Sequence, residues 1–360
     1  MERVILLFGG TSEERLVSVA SAQNVASRFA RPNCALWFID PAGAVREASL
    51  PELLAHERPF QEPFRPQRPA FAPSIRAAAK ELAHGTAFIA LHGTEGEDGS
   101  LQELFESRGI RFTGAGARAS RLCFDKIATK AEVARAGLRV VEQISFTTDA
   151  EQVARAALAG LFSRCRDGIV MKPIANGSSV GLRIIDREGD IDEAARAATQ
   201  APDKRFMAEP FVRGRELTVG VVDFSGRPEP LPASEIVLEK GHRFDYDGKY
   251  LGRGSTEITP AALSPTDAAA CQAAAVRAHE ALGCYGYSRT DMILCDDGRD
   301  PVFLETNTLP GLSRSSFIPQ QLRAAGWTLD AFVDRQLELA RLRRDLRGSG
   351  ISQGGATGQP

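Results

Sequence analysis

The chain has 360 residues, 44 of them Lys or Arg and 46 Asp or Glu, for a formal charge of −2. At about 150 residues per domain this implies two to three domains, each able to bury a core. Hydrophobic residues at 43% and charged residues at 25% exclude wholesale disorder, a collagen-like repeat and a disulfide-stapled miniprotein, and the balanced charge weakens the case for a nucleic-acid partner, which draws a basic excess.

The first apolar run, Val4 to Phe8, reads as a strand entering a turn at Gly9-Gly10. It is too short for a signal peptide, and no stretch approaches the 18 apolar residues of a membrane span. The expectation is a soluble, cytoplasmic protein with no membrane association. Its six cysteines lack CxxC spacing and its five histidines form no HxxxH or HxH pair, so free thiols are expected and a zinc site is not.

Three blocks follow, each alternating strand-like runs with Ala- and Arg-rich helical stretches, an α/β and α+β construction. The first pairs the opening strand with a helix from Glu14 and a strand Thr86 to Leu91, and closes near Gly116. Its proline-rich stretch Pro51 to Pro73 reads as irregular connection. The second runs from the Asp125-Lys126 helix, capped at Gly137, through strand Gly168 to Lys172, strand Gly181 to Ile185, a helix Ile191 to Ala201 and strand Arg205 to Glu209. In the third, Glu216 to Val222 alternates as a half-buried strand, and the helix Thr266 to Leu282 precedes strands Thr290 to Cys295 and Pro301 to Glu305. The Gly- and Ser-rich tail beyond Leu346 has no apolar face to bury and is expected to be disordered.

Four constellations could carry chemistry. Asp291 near the start of one late strand, with Glu305 and Asn307 two apart at the end of the next, offers two carboxylates and an amide oxygen, hard ligands suited to Mg²⁺. Solvated acids at strand ends are the alternative. The turn Asp296 to Asp300 between them reads as a hairpin, and alternation gives Arg289 the face of Asp291. Lys172, at a strand end before the small residues Asn176 to Ser179, offers a cation and accessible backbone N–H groups to phosphate, or else an ordinary turn. His92 to Ser100 is a glycine-rich acidic loop where open α/β sheets place ligands, or a generic loop with a helix cap. Two weaker signals are Gly114-Ala115-Gly116, which lacks the third glycine of a dinucleotide fingerprint, and Gly9 to Ser12, which could bind an anion or simply cap a helix.

Taken together and in order, these segments resemble the D-alanine–D-alanine ligases of the ATP-grasp superfamily. The matching stretches are Gly9 to Ser18, His92 to Gln102, Phe124-Asp125-Lys126, Lys172 to Gly181, Glu209 with Gly214-Arg215-Glu216, Phe244 to Tyr250, and Arg289 to Pro319, spanning about residues 4 to 340. The resemblance implies a three-domain ATP-grasp fold: an N-terminal open, Rossmann-like α/β domain (1–120), a central unit (121–210), a C-terminal catalytic unit (211–346) and a tail (347–360). It implies ATP-dependent joining of two D-alanines through an acyl phosphate for peptidoglycan precursor synthesis, with two Mg²⁺ or Mn²⁺ ions and a homodimer.

By the same resemblance, Lys126 and Lys172 would contact ATP, Glu209 and the backbone near Val212 would hold adenine, and Glu216 the ribose. Ser178 and Ser179 would cover the phosphates, and Lys249, on a loop closing the site, would reach the γ-phosphate. Asp291, Glu305 and Asn307 would hold the metals. Glu14 would bind the first D-alanine's ammonium, with His92 and Glu97 in the same substrate loop, and Ser316 the second D-alanine's carboxylate. Arg289 and the Gly311 N–H would stabilise the oxyanion, and Tyr250 would link to Ser178 and Glu97. The chain departs from the family pattern at Phe244, Ser288, Thr290, Thr306, Arg121 and Arg314. These could reshape the second amino-acid pocket, so a relative joining a different amino-acid pair, or D-alanine with a hydroxy acid, stays open.

Overall fold

The computed structural model describes residues 2–83, 85–175, 181–238 and 255–348, which form three sheets. The first sheet contains β1 (Arg3–Gly9), β2 (Cys34–Ile39), β3 (Val45–Ala48), β4 (Ala70–Ala72), β5 (Gly85–Ile89) and β6 (Arg111–Phe112), in the order β4-β3-β2-β1-β5-β6. Strands β2, β1, β5 and β6 run parallel, and β3 and β4 add an antiparallel edge. The run Val4 to Phe8 is apolar throughout because β1 sits at the centre of a sheet covered on both faces. The strand order reverses between β1 and β5, and at such a switch point the loops leaving the C-terminal ends of the strands are where open α/β sheets place ligands.

Two parts of this sheet differ from the sequence reading. Strands β2 and β3 were not expected, and the proline-rich stretch is not wholly irregular. Ser49 accepts the Glu52 N–H while the Glu52 carboxylate accepts the Ser49 N–H, so a short helix, Leu50–Leu54, starts there with Pro51 in its first turn. Proline is harmless at that position because its missing N–H would have no partner in the helix.

The second sheet, β7 (Ile144–Thr147), β8 (Ile169–Pro173), β9 (Arg183–Ile185) and β10 (Arg205–Pro210), is antiparallel in the order β7-β10-β8-β9. Helices Glu151–Phe162 and Ile191–Gln200 cover it through Leu158, Leu161, Ala194 and Ala198, in a core drawn entirely from residues 144–208.

The third sheet holds β11 (Arg215–Asp223), β12 (Pro228–Pro230), β13 (Ser234–Leu238), β14 (Ser255–Ile258), β15 (Tyr287–Leu294) and β16 (Val302–Asn307), in the order β14-β13-β11-β15-β16 with β12 beside β11. The expected hairpin between the last two strands is present. The helix Pro265–Ala281 packs Cys271, Ala274 and Ala278 against this sheet. The helices Ala117–Phe124 and Lys126–Arg135 bury Cys123 and Val133 in that same cluster. A division at residue 121 therefore cuts a helix, and the central unit's first helices share their core with the third sheet.

The helices Phe317–Ala324 and Leu329–Gly348 return to the first sheet, burying Ile318, Leu322, Phe332 and Val333 in its cluster. The last helix thus carries two residues beyond the expected end of the folded chain, and the tail from 349 onward lies outside the described residues. All six cysteines are free thiols. No helix among the described residues is long and apolar enough to cross a membrane.

Candidate active site

Register decides which side chains share a face, because residues directly opposite in an antiparallel ladder project to the same side. On the third sheet Thr218 stands opposite Asp291, Asp291 opposite Glu305, and Arg289 opposite Asn307. Arg289, Asp291, Glu305 and Asn307 are therefore brought together as expected. The Arg289 guanidinium grips Asp291 in a fork, Nε to Oδ1 at 2.9 Å and Nη2 to Oδ2 at 2.8 Å, and the Thr218 hydroxyl donates to the same carboxylate. Both partners of the fork are largely buried, so this is no solvated surface pair. Asn307 Oδ1 accepts the Leu309 N–H at 2.7 Å, and Lys126 Nζ lies 3.6 Å from Glu305.

The alternate residues face the core. Thr290 and Thr306 stand opposite each other and share a hydrogen bond of 2.9 Å, at 0% and 3% exposure. Ser288 pairs with the buried His279 ring at 2.8 Å. These departures from the family pattern thus find partners inside the sheet, Thr290 and Thr306 in each other and Ser288 in His279, on the face away from Arg289 and Asp291. Thr290→Val or Thr306→Val alone strands a buried hydroxyl and is expected to cost about 1–3 kcal/mol in urea unfolding, while the double variant is close to neutral. Acceptor selectivity should stay unchanged in all three. Arg121 is likewise accounted for by a surface ion pair with Glu103, and Arg314 is exposed.

On the second sheet, Lys172 Nζ meets Glu209 Oε1 at 2.7 Å, and Lys130 Nζ holds the other oxygen. Glu209 and Lys130 are 3% and 1% exposed. Burial alone would raise the Glu209 carboxyl, but Lys172 and Lys130 outweigh it and keep it below the ordinary carboxylate range. Burial works against the Lys172 charge as well, yet Glu209, Glu305 and Glu216 together hold its pKa above that of a free lysine. Glu305 and Glu216 belong to the third sheet, so the two sheets' charges act across one cleft. For Lys130 burial prevails over Glu209, and its pKa is lowered. Lys130 was not singled out in the sequence, though it lies four residues after Lys126 on one helix and hence on the same face. Val212 lies half-buried in the loop from β10 to β11, and Glu216 opens β11.

The loops of the first sheet complete the site. Glu14 stands at the N-cap position of the helix Arg15–Val25, and its Oε2 would lie 2.9 Å from a Cβ on Gly93. Gly93 also has φ +72°, a backbone conformation that favours glycine there. The Ser12 hydroxyl donates to the His92 carbonyl and accepts the Glu14 N–H, so Gly9 to Ser12 ends in a local cap. Glu97 is pushed up to about 8, first by burial and then by Glu14, although the Gly93 N–H donates to it at 3.0 Å. His92 is held below the ordinary histidine value by burial, despite Glu14.

The neighbours of His92 determine its tautomer. Nδ1 faces the Leu309 carbonyl at 2.8 Å and must donate, so Nε2 accepts from the Ser21 hydroxyl at 2.9 Å, and Ser21 Oγ in turn accepts the Leu312 N–H. Asn24 donates to the Leu312 carbonyl at 2.8 Å. The loop carrying Gly311 is thus pinned to the first sheet by Ser21, Asn24 and His92, of which only His92 was legible. A Cβ on Gly311 would come within 2.6 Å of Ser316 Oγ, which brings that backbone close to Ser316 at the start of the helix Phe317–Ala324. A helix N-terminus favours an anion.

Gly114 to Gly116 leads into the helix Ala117–Phe124, whose first N–H donates to Glu106, so those glycines form a helix start. Ser178, Ser179, Phe244, Lys249 and Tyr250 lie outside the described residues.

The arrangement places a cationic and carboxylate-lined cleft between two sheets, next to a loop crevice with a carboxylate and backbone donors. The family model for the D-ala D-ala ligase N-terminus matches residues 3–115, and that for the D-ala D-ala ligase C-terminus residues 133–338. A D-alanine–D-alanine ligase of Syntrophobacter fumaroxidans is 36% identical over 94% of this chain and 97% of its own length. One from Halalkalibacterium halodurans is 32% identical over 94% and 99%. Among solved structures, the VanG D-Ala:D-Ser ligase from Enterococcus faecalis superposes with a TM-score of 0.79 at 27% identity, covering 94% of this chain and 99% of its own. The D-alanine–D-alanine ligase from Coxiella burnetii gives 0.77 at 25%, covering 97% of each.

Proposed function

The chain belongs to the D-alanine–D-alanine ligase family, with its ATP-grasp fold, and from that premise we propose that it joins two D-alanines to D-alanyl-D-alanine for peptidoglycan precursor synthesis, converting ATP to ADP and phosphate. The observation that supports this most is the single sheet face carrying Arg289, Asp291, Glu305 and Asn307 opposite Lys172 and Glu209.

A carboxylate is a poor electrophile, so the first D-alanine's carboxylate takes the γ-phosphoryl group of ATP. The second amino acid's amine then attacks the acyl phosphate, and phosphate leaves. Lys126 and Lys172 offer cations to the phosphates, and the raised pKa of Lys172 keeps it charged through neutral pH. Glu209, held ionised, accepts from adenine, with the Val212 backbone beside it, and Glu216 takes the ribose. Glu14 receives the first substrate's ammonium at the mouth of the His92–Glu97 loop.

When the amine adds, charge develops on the former carboxyl oxygen. Arg289 and the Gly311 N–H are the fixed donors for it, and the fork to Asp291 holds the guanidinium in one orientation. Ser316, at its helix start, takes the second substrate's carboxylate. The all-oxygen set of Asp291, Glu305 and Asn307 fits a hard divalent cation. Two Mg²⁺ or Mn²⁺ ions there would neutralise the transferring phosphoryl group. Ser178, Ser179, Lys249 and Tyr250 keep their phosphate-covering and lid-linking roles on the sequence resemblance alone, as do the homodimer and the cytoplasmic location.

Incubation with ATP, Mg²⁺ and D-alanine is expected to release phosphate in step with D-alanyl-D-alanine, followed by coupled phosphate assay and chromatography. Turnover with another amino acid or a hydroxy acid but none with D-alanine would overturn the assignment.

A further inference from the structure

An α-amino acid is a zwitterion, and a pocket that takes its carboxylate must also meet its ammonium group. Several of the described carboxylates around Ser316 and Arg289 are committed. Glu14 lies against Gly93, Asp291 is in the fork with Arg289, and Glu305 faces Lys126. Glu257 on β14 is a carboxylate of the same sheet face that has no role in the reaction described above.

Register places it there. Ile236 on β13 stands opposite both Glu216 and Glu257, and Glu216 is two residues from Thr218, which stands opposite Asp291. Glu257 therefore projects to the face of Arg289 and Asp291. Its carboxylate is fixed by Gln320, whose Nε2 donates to Oε2 at 2.7 Å. The Thr259 hydroxyl donates to Gln320 Oε1, and Ser234 bonds to that hydroxyl in turn, so the amide has one orientation. The same Nε2 donates to the Ser315 carbonyl at 2.7 Å, which puts Glu257 one side chain away from the segment Ser315-Ser316. Arg289, whose guanidinium lies 5.8 Å from the Phe317 ring centroid next to Ser316, is close enough to act on Glu257 electrostatically.

We propose that Glu257 is a specificity-determining residue of the second amino-acid site, its carboxylate pairing with the acceptor's ammonium group while Ser316 takes the acceptor's carboxylate. The inference rests on the reading of Ser316 and Arg289 given under the proposed function. Burial pushes the Glu257 carboxyl up to about 7, against the pull of Gln320 and Arg289. A cation arriving beside it favours its ionised form. A hydroxy-acid acceptor would lack this contact, so the residue selects for an amine.

The test is Glu257→Gln, which keeps the shape and an oxygen for Gln320 but removes the charge. Initial rates over a range of D-alanine concentration separate the Michaelis constants of the two amino-acid sites. The variant is expected to raise the second-site KM about tenfold or more, in line with a lost charge-assisted hydrogen bond, with the first-site and ATP constants within twofold of the parent. Glu257→Asp should recover part of the loss, and thermal melting of both variants checks that they fold. An unchanged second-site KM, or three constants moving together, would overturn the proposal. Failure of the unmodified enzyme to make any D-alanine dipeptide would instead sink the functional reading itself.

Discussion

Arg289→Met is expected to lower kcat for dipeptide formation by about 10²- to 10³-fold, the loss seen when one oxyanion donor is removed. Two functions meet in this side chain. Its fork holds Asp291, and on the proposed mechanism the same guanidinium donates to the oxygen of the tetrahedral intermediate. An ammonium cannot make two parallel bonds to one carboxylate, so Arg289→Lys should recover little despite keeping the charge. The KM for ATP should change far less than kcat, because Lys126, Lys172, Glu209 and Glu216 lie on other strands and helices. Steady-state kinetics with ATP and D-alanine varied separately decide the matter. A kcat within fivefold of the parent would remove Arg289 from the chemistry.

The second large effect concerns stability. Glu209→Gln leaves Lys130 and Lys172 buried around a neutral amide, and an uncompensated buried charge of this kind costs about 3–5 kcal/mol in denaturant unfolding. The sheet that carries Glu209 draws its core from residues 144–208 alone, so it has little with which to offset the loss. The pH dependence has a definite sign. The Glu209 pKa is lowered in the folded chain, so its stabilisation is present at neutral pH and is lost as pH falls through that lowered value. In the variant the deficit should shrink as pH rises, because Lys130, already below the ordinary lysine value, gives up its proton most readily. Adding Lys130→Met should recover much of the lost stability. A single Glu209→Gln variant as stable as the parent would show that the lysine pair does not depend on this carboxylate.

Period-two alternation placed Arg289 and Asp291 on one face, and the acidic turn Asp296 to Asp300 announced the hairpin that brings Glu305 and Asn307 beside them. Both signals are local, and local signals read well. Pairings between distant segments do not. The partner of Thr290 is Thr306, sixteen residues on, and only the ladder shows that two apparent changes to the pocket are one hydrogen bond in the core. Lys130 looked like one more lysine on an exposed helix until Glu209, 79 residues away, gave it a reason to be buried. Strands β2 and β3 are joined by Asp40-Pro41-Ala42-Gly43, whose turn chemistry was legible in the sequence, while Pro51 suggested disruption where it opens a helix. Ser21 and Asn24 read as ordinary polar residues of an amphipathic helix, and their partners lie 291 and 288 residues away.

The pinning of the Leu309–Leu312 loop by Ser21, Asn24 and His92 has a mechanical consequence. The Gly311 backbone, which the proposed mechanism uses as an oxyanion donor beside Arg289, is tied to the helix Arg15–Val25, and both pack on the first sheet. The second sheet, which carries the proposed nucleotide contacts Lys172 and Glu209, has a separate core. Tilting that sheet would bring the phosphoryl group nearer to or farther from the first carboxylate, while the angle between donor and acceptor amino acids would be preserved. On the proposed mechanism the assembly would work as a vice with one fixed jaw, in which the workpiece is aligned before the other jaw closes.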